Sequence, residues 1–284
     1  MKQWKGRLIL LVTAMIWGCS FVAQSAGMDF IGPWTFMCIR SFLGAGFLFL
    51  MMPLIDRIRG IDYHTEHPET VVKAGMIAGI FLCAASIFQQ IGIQYTTAGK
   101  AGFLTAMYVV LVPVFSLFLG RKLSLRLLIS IVLAATGLYL ISISGSFSLA
   151  TGDLYEIICA FLFAFHILVI DHFGKGVDSV RMSAIQFLTA GIICLIPMFL
   201  EKPQIAEILS AAVPVLYAGI CSSGIAYTLQ MIGQKYVNPS EAGILMSLES
   251  VFALLAGMLI LEEMLSMREL AGCLIMFIAV LLAN

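Results

Sequence analysis

The sequence predicts an all-α integral membrane protein with ten transmembrane helices arranged as two inverted five-helix repeats. Composition is the first reason. Of 284 residues, 61% are hydrophobic and 11% charged, with a mean hydropathy of +1.03, whereas soluble domains run at roughly 45–50% apolar and about 25% charged. A water-soluble globule is excluded. A spanning helix takes about 20 apolar residues, so ten spans use most of the chain and leave only short loops. The second reason is segmentation into apolar runs, and the third is an internal repeat.

Apolar runs separated by charged or Gly/Pro-containing breaks cover 8–27, 33–54, 72–93, 100–120, 126–144, 152–171, 180–200, 212–234, 240–261 and 268–283. The first follows Met1-Lys2-Gln3-Trp4-Lys5 and ends near Ala23 to Ala26, a stretch with a faint likeness to a signal-peptidase site. Its full spanning length, and the spans after it, predict an uncleaved helix. The third and eighth runs carry Ser86-Ile87-Phe88-Gln89-Gln90 and Tyr227-Thr228-Leu229-Gln230 at membrane depth, where polar groups must face protein or a wet cavity. On a helical wheel the ninth run separates Ala242, Gly243, Ser247, Glu249, Ser250, Ala253, Ala256 and Gly257 from a wholly apolar arc. The fourth run repeats that pattern with Ala101, Gly102, Thr105, Ala106, Tyr108, Pro113 and Ser116.

Sixteen basic residues balance sixteen acidic ones, so net charge indicates no nucleic acid partner. Their distribution is informative. With the N-terminus inside, twelve basic residues (Lys2, Lys5, Arg7, Arg57, Arg59, Lys73, Arg121, Lys122, Arg126, Lys175, Arg181 and Lys235) face the cytoplasm, and only Lys202 and Arg268 lie in outer loops. Both termini are therefore expected inside. All seven cysteines sit alone in apolar runs, without a C-x-x-C pair or a histidine at a metal-ligand interval, and read as packing residues.

The repeat fixes the expected architecture. At an offset of 146, Trp17-Gly18 falls on Phe163-Ala164, Ser20 on His166 and Arg40 on Gln186. At 141, Gln89-x-x-Gly92-x-x-Tyr95 falls on Gln230-x-x-Gly233-x-x-Tyr236, and Ala101-Gly102 on Ala242-Gly243. At 142, Leu123-Ser124 falls on Leu265-Ser266. Each half, 1–144 and 145–284, holds five spans. An odd number inverts the second half relative to the first, the signature of carriers that alternate access around a midplane site.

Several strings together carry a family resemblance. Met15-Ile16-Trp17-Gly18-Cys19-Ser20-Phe21, Ile39-Arg40-Ser41-Phe42, Tyr95 through Leu104, Val112-Pro113-Val114-Phe115, and Ser247 through Ala253 followed by Leu261-Glu262-Glu263 resemble, in that order, the EamA-like exporters of the drug/metabolite transporter superfamily. The likeness covers both halves. It implies ten helices, an inverted five-plus-five repeat, a central cavity, and export of small metabolites or amphipathic compounds. One departure is Gly120-Arg121, where the family usually has Gly-Glu, so that loop's usual carboxylate is missing.

Candidate cavity residues follow from depth and facing. Glu249 lies near mid-depth on the polar arc of the ninth span, where a carboxylate costs about 2.5–3.5 kcal/mol unless paired, protonated or wet. A substrate or proton role competes with a structural interhelical bond. Tyr108, 141 residues earlier, is its repeat partner, so the two are expected to meet near the pseudo-twofold axis; Tyr108 can offer a ring face to a substrate and a hydroxyl to Glu249, or simply pack between helices. Arg40, permanently charged and deep in the second span, needs a carboxylate, carbonyls or water, from the protein or from a substrate. His166 can titrate near neutral pH or be simply hydrogen-bonded. Trp17 and Gln24 (with Phe21) in the first span, Gln89 in the third, and Ser223, Tyr227, Gln230 and Gln234 in the eighth form polar, aromatic stripes that suit a cavity wall or interhelical glue. Lys100, at the positive end of its helix, either snorkels to the surface or attracts anions at the outer mouth. Glu241, after Asn238-Pro239-Ser240, reads as part of a helix cap.

The expected function is secondary transport, most simply export of small metabolites such as amino acids, by rocking of two halves about Tyr108 and Glu249. A multidrug or cation exporter of the same architecture is the alternative, and a passive channel or an intramembrane enzyme are the alternatives of other classes. The stretch from Gly92 to Lys100 fails as a phosphate loop, because Gln94 stands where a Walker motif needs Gly and Ala101 where it needs Ser or Thr. No cofactor, metal or catalytic residue is indicated. The expected partners are a small-molecule substrate and the lipid bilayer, with the proton as candidate coupling ion and a monomer or homodimer as the unit. The basic asymmetry yields a direct test. Single cysteines at Lys2 and Ser146 in a cysteine-free background will differ in labelling by an impermeant thiol reagent, and equal access from outside would refute the inverted arrangement.

Overall fold

The computed structural model describes residues 3–59, 68–95, 98–142, 151–261 and 266–283, and no strand occurs among them. The helices are α1 (Gln3–Met28), α2 (Pro33–Arg59), α3 (Pro68–Gly92), α4 (Ala98–Ala106), α5 (Tyr108–Phe118), α6 (Leu125–Ser142), α7 (Thr151–Phe173), α8 (Ser179–Glu201), α9 (Ile205–Ser210), α10 (Ala212–Leu216), α11 (Tyr227–Gln234), α12 (Pro239–Met246), α13 (Glu249–Leu261) and α14 (Met267–Ala283). A ten-residue π-helix, Tyr217–Ala226, joins α10 to α11. Among the described residues, eight helical stretches are long and apolar enough to cross a membrane. Two shorter helices lie where the fifth and tenth spans are expected: α6, apolar over Leu125–Ile141, and the 17-residue α14. At about 1.5 Å per residue, these fall slightly short of a hydrocarbon core of about 30 Å. Large apolar side chains such as Leu50, Ile58, Phe118, Leu200 and Leu281 face outward, as lipid requires and water forbids.

Three expected helices are interrupted. The fourth run breaks at Met107, where Met107 N–H donates to Leu104 O at 3.2 Å and Val110 N–H to Met107 O at 2.9 Å. The ninth breaks at Ser247-Leu248, with Leu248 N–H bonded to Leu245 O at 3.4 Å and Ser250 N–H to Ser247 O at 3.2 Å. These i to i+3 bonds tighten the winding locally, so Tyr108 and Glu249 each open a new helix rather than sit mid-helix. The eighth run widens into the π-helix.

The largest interfaces pair α2 with α8, α6 with α14, α3 with α7 and α8, and α1 with α13 and with the α10–α11 segment. Small residues allow the closest approaches. A methyl group on Gly75 would come within 2.6 Å of Ile185 Cβ, and one on Gly79 within 2.6 Å of Gln186 O, so this pair seats α3 on α8 as a small-residue surface should. Three buried thiols, Cys38, Cys83 and Cys194, meet in a packed cluster where α2, α3 and α8 converge, with Cys83 Sγ and Cys194 Sγ 3.5 Å apart.

Polar bonds join helix ends. Arg7 Nε donates to Glu241 Oε1 at 2.5 Å, so Glu241 does more than the capping its sequence suggests; Asn238 supplies the cap, accepting from Glu241 N–H at 2.9 Å. Arg121 pairs with Asp171, and Arg181 Nη2 with Asp56 Oδ2 at 2.6 Å. Gly120, at φ +76°, ends α5 in the left-handed conformation that glycine tolerates. At the other end of the bundle Glu201, closing α8, accepts from Trp34 N–H at 3.0 Å, Thr35 N–H at 2.7 Å and Thr35 Oγ1 at 2.6 Å. One helix thus caps the free amides of another. Glu201→Ala will lower stability by about 0.5–2 kcal/mol, the usual worth of an N-cap, read as a lowered unfolding temperature in detergent; an unchanged midpoint would show the cap to be idle.

Candidate functional site

A cavity lies inside the bundle, lined by Trp17, Phe21 and Gln24 from α1, Arg40 from α2, Gln89 from α3, Thr105 from α4, Tyr108 from α5 and Phe163 from α7. Ser222, Tyr227 and Gln230 of the eighth segment and Met246 and Glu249 of the ninth complete the wall, with Ser20 and Ile167. Eight of the sequence-nominated residues (Trp17, Gln24, Arg40, Gln89, Tyr108, Tyr227, Gln230 and Glu249) therefore come together from separate segments. His166 does not join them. It is wholly buried behind the wall, bonded through Nε2 to Gln186 Oε1 at 3.1 Å, with its ring edge-on to Tyr227. The side chain of Lys100 lies outside the described residues, as do residues 143–150, which hold most of the loop expected outside.

Arg40 is 3% exposed and held by neutral acceptors. Nε donates to Ser223 Oγ at 3.1 Å, Nη1 to Gln24 Oε1 at 3.2 Å and Nη2 to Ser222 Oγ at 3.1 Å. Among the described residues it has no carboxylate partner. The local fold makes this fan possible. A methyl on Gly44 would strike Ser223 Cβ at 2.7 Å, and one on Gly219 would meet Leu43 Cβ at 2.7 Å, so α2 and the π-helix touch backbone to backbone. The π winding presents two successive serines to one guanidinium, and π segments recur at functional sites.

Glu249 is 4% exposed. Tyr108 Oη donates to Glu249 Oε1 at 2.9 Å, the meeting of repeat partners that the sequence predicts. As the first residue of α13, Glu249 sits where the helix dipole favours an anion. Gly18 brings α1 against this point, since a methyl there would come within 2.7 Å of Glu249 O and 2.5 Å of Phe252 Cβ. Trp17 and Tyr227 pack ring against ring, centroids 4.7 Å apart. Trp17 Nε1, Ser20 Oγ and Gln230 Oε1 are buried and have no hydrogen-bond partner among the described residues, which leaves one donor, one hydroxyl and one acceptor unpaired in the wall.

The free space is small, about 30 Å³ for the centre of a water molecule, where one water needs roughly 10–15 Å³. The cavity as it stands has room for only about two or three water molecules. Sequence reasoning placed Thr105 on a polar arc and Ser223 on a polar stripe without naming their partners, and it missed Ser222, because short hydroxyls in apolar runs look alike until the neighbouring helix is known. It also missed Glu156, wholly buried on α7 and bonded to Thr105.

Comparison with known proteins agrees with this architecture. A solved crystal structure superposes with a TM-score of 0.81 over 100% of this chain and 97% of that one, at 18% identity, which establishes the fold. An uncharacterized transporter of Archaeoglobus fulgidus is 28% identical over 100% of this chain and 87% of its own length. The uncharacterized transporters YoaV and YvbV of Bacillus subtilis are 23% and 25% identical, over 95% and 98% of this chain and 94% and 90% of theirs. The model of the EamA-like transporter family matches residues 4–143 and again 150–284. With both matches together covering nearly every residue, the chain is a multi-pass membrane protein of the EamA-like transporter family.

Proposed function

We propose that this transporter is a secondary exporter of small zwitterionic metabolites, amino acids being the simplest, which it moves across the plasma or inner membrane by alternating access. The observation that carries the reading is one cavity holding a guanidinium and a carboxylate, each satisfied by neutral groups among the described residues. Burying a charge without a counter-charge is expensive. A zwitterion supplies both missing partners. Arg40 has five N–H donors and spends three on protein, leaving one on each terminal nitrogen, the number a bidentate carboxylate takes. Glu249, with the Tyr108 ring beside it, suits an ammonium group.

Ten helices in two inverted repeats, 1–144 and 145–284, give this site its mechanism. The helix pairings support the repeat: α3 lies on α7 as α10–α11 lies on α1, and α2 with α8 and α6 with α14 join counterpart elements. The breaks at Met107 and Leu248 are 141 residues apart. With both termini cytoplasmic, Arg7–Glu241, Arg121–Asp171 and Arg181–Asp56 latch the inner ends of helices from both halves. Opening inward breaks these latches and wets the cavity; closing them and parting the opposite ends releases substrate outside. This reading assigns the site to binding rather than catalysis. The aromatic wall also suits a hydrophobic cation, but Arg40 in that wall opposes a substrate bearing positive charge alone.

Efflux from proteoliposomes loaded with a panel of labelled amino acids and cationic drugs tests this. Amino acids will leave faster than drugs. Glu249→Gln and Arg40→Lys will each lower amino-acid efflux at least tenfold, equivalent to about 1.4 kcal/mol, because an amide carries no charge and a lysine cannot reproduce the planar fan. Efflux of cations alone, undisturbed by Arg40→Lys, would overturn the zwitterion assignment.

A further inference from the structure

Beside the cavity lies a second buried carboxyl that the transport site does not use. Glu156 on α7 is fully buried. Oε2 accepts from Thr105 Oγ1 at 2.8 Å, and that hydroxyl accepts from Gln89 Nε2 at 3.2 Å. Thr105 and Gln89 both line the cavity, so one relay of three side chains connects the cavity wall to this carboxyl. Among the described residues Oε1 has no hydrogen-bond partner. It faces Gly92 on α3, where a methyl group would come within 2.5 Å of it.

The corresponding place in the other half shows what packing alone asks for. Gly233, 141 residues after Gly92, is covered by Leu10, 146 residues before Glu156; a methyl there would meet Leu10 Cγ at 2.7 Å. Both offsets are those of the internal repeat. An apolar side chain seats one helix on the other at Gly233, yet a carboxyl stands at Gly92. An ionised carboxylate with a bare oxygen in that dry contact lacks compensation for its lost hydration, whereas a proton on Oε1 removes the charge.

We propose that Glu156 is a proton-binding site of the transport cycle, loaded and unloaded as the α3–α7 contact closes and opens, and coupled to the substrate cavity through Thr105 and Gln89. In the step, a hydronium ion at one mouth loses one O–H bond and becomes water as Oε1–H forms; at the other mouth the Oε1–H bond breaks and a water takes the proton, regenerating hydronium and the carboxylate. The groups facing Glu156 from its neighbours are few. Asp153, buried one turn earlier and itself engaged, Tyr155 and Cys159 share α7. α4 brings Thr105 and α3 brings Gln89 and Gly92, and beyond Cys159 stands the Tyr108–Glu249 pair. The side chain of Lys100 on α4 is outside the described residues.

The proposal rests on the transporter reading for its coupling but not for its proton, and the experiment separates the two. Infrared difference spectra of the protein in liposomes, recorded between alkaline and acidic pH, need no substrate. Wild type will gain a carboxylic C=O band that is lost in both Glu156→Gln and Glu156→Leu and retained in Glu249→Gln. Thr105→Val will shift that band upward by removing a hydrogen bond to Oε2. Leucine is the residue the equivalent contact carries, so Glu156→Leu keeps the test open if the amide variant fails to fold. A band unchanged in both Glu156 variants overturns the proposal. For coupling, the probe is a labelled mixture of leucine, phenylalanine and threonine. Glu156→Leu will retain exchange between equal internal and external concentrations but lose accumulation driven by a pH gradient. Gradient-driven accumulation surviving in Glu156→Leu overturns it too. If wild type moves none of the three amino acids, the amino-acid reading fails, while the infrared arm still decides the proton site.

Discussion

A guanidinium keeps its charge in a protein interior, so burying Arg40 obliges the helices around it to supply acceptors. Everything near the cavity is consistent with that demand. Gln24 reaches over from α1, and Ser222 and Ser223 are turned inward together by a π-helix that ordinary winding would not provide. Gly44 and Gly219 strip the contact to backbone so that short hydroxyls suffice. Apolar packing would assemble this bundle in many registers. A fixed charge whose three bonds must all be made selects one, as a polar group in an apolar seam specifies register elsewhere.

The apolar runs, the polar arcs and most cavity residues were legible in the sequence because they rest on periodicity, which one chain carries by itself. Tyr108 meeting Glu249 was legible because the repeat relates them. Winding was not: Met107 and Ser247-Leu248 hold no proline or glycine, so nothing local marks the breaks before Tyr108 and Glu249. The partners of Arg40, Glu241 and Glu201 lie on other helices, and only the register between helices reveals them. His166 carries the same kind of signal as the cavity residues but points into a neighbouring contact with Gln186. A wheel fixes the side of a helix and leaves open which of two adjoining surfaces that side meets.

Glu249 and Glu156, both buried, differ in kind. Glu249 stands at a helix start, beside a hydroxyl and facing space; Glu156 stands in a dry contact with one oxygen bare. On the proposed function the first meets what enters the cavity. On the proposal for Glu156 the second is reached by water only as two helices separate, which ties its chemistry to conformation rather than to occupancy.

The pairing of helices also says how such a chain could have arisen. The largest interfaces, α2 with α8, α6 with α14, α3 with α7 and α1 with α10–α11, run between the two halves of the sequence, and contacts within a half are minor. A lone five-helix unit would leave its glycine-lined and apolar faces bare to lipid and have no enclosed cavity. On the proposed inverted repeat, an ancestor with one copy would have been a two-chain assembly, one copy inserted in each direction. On that reading the leucine that covers Gly233 and the glutamate that covers Gly92 are the kind of difference two identical chains could never hold.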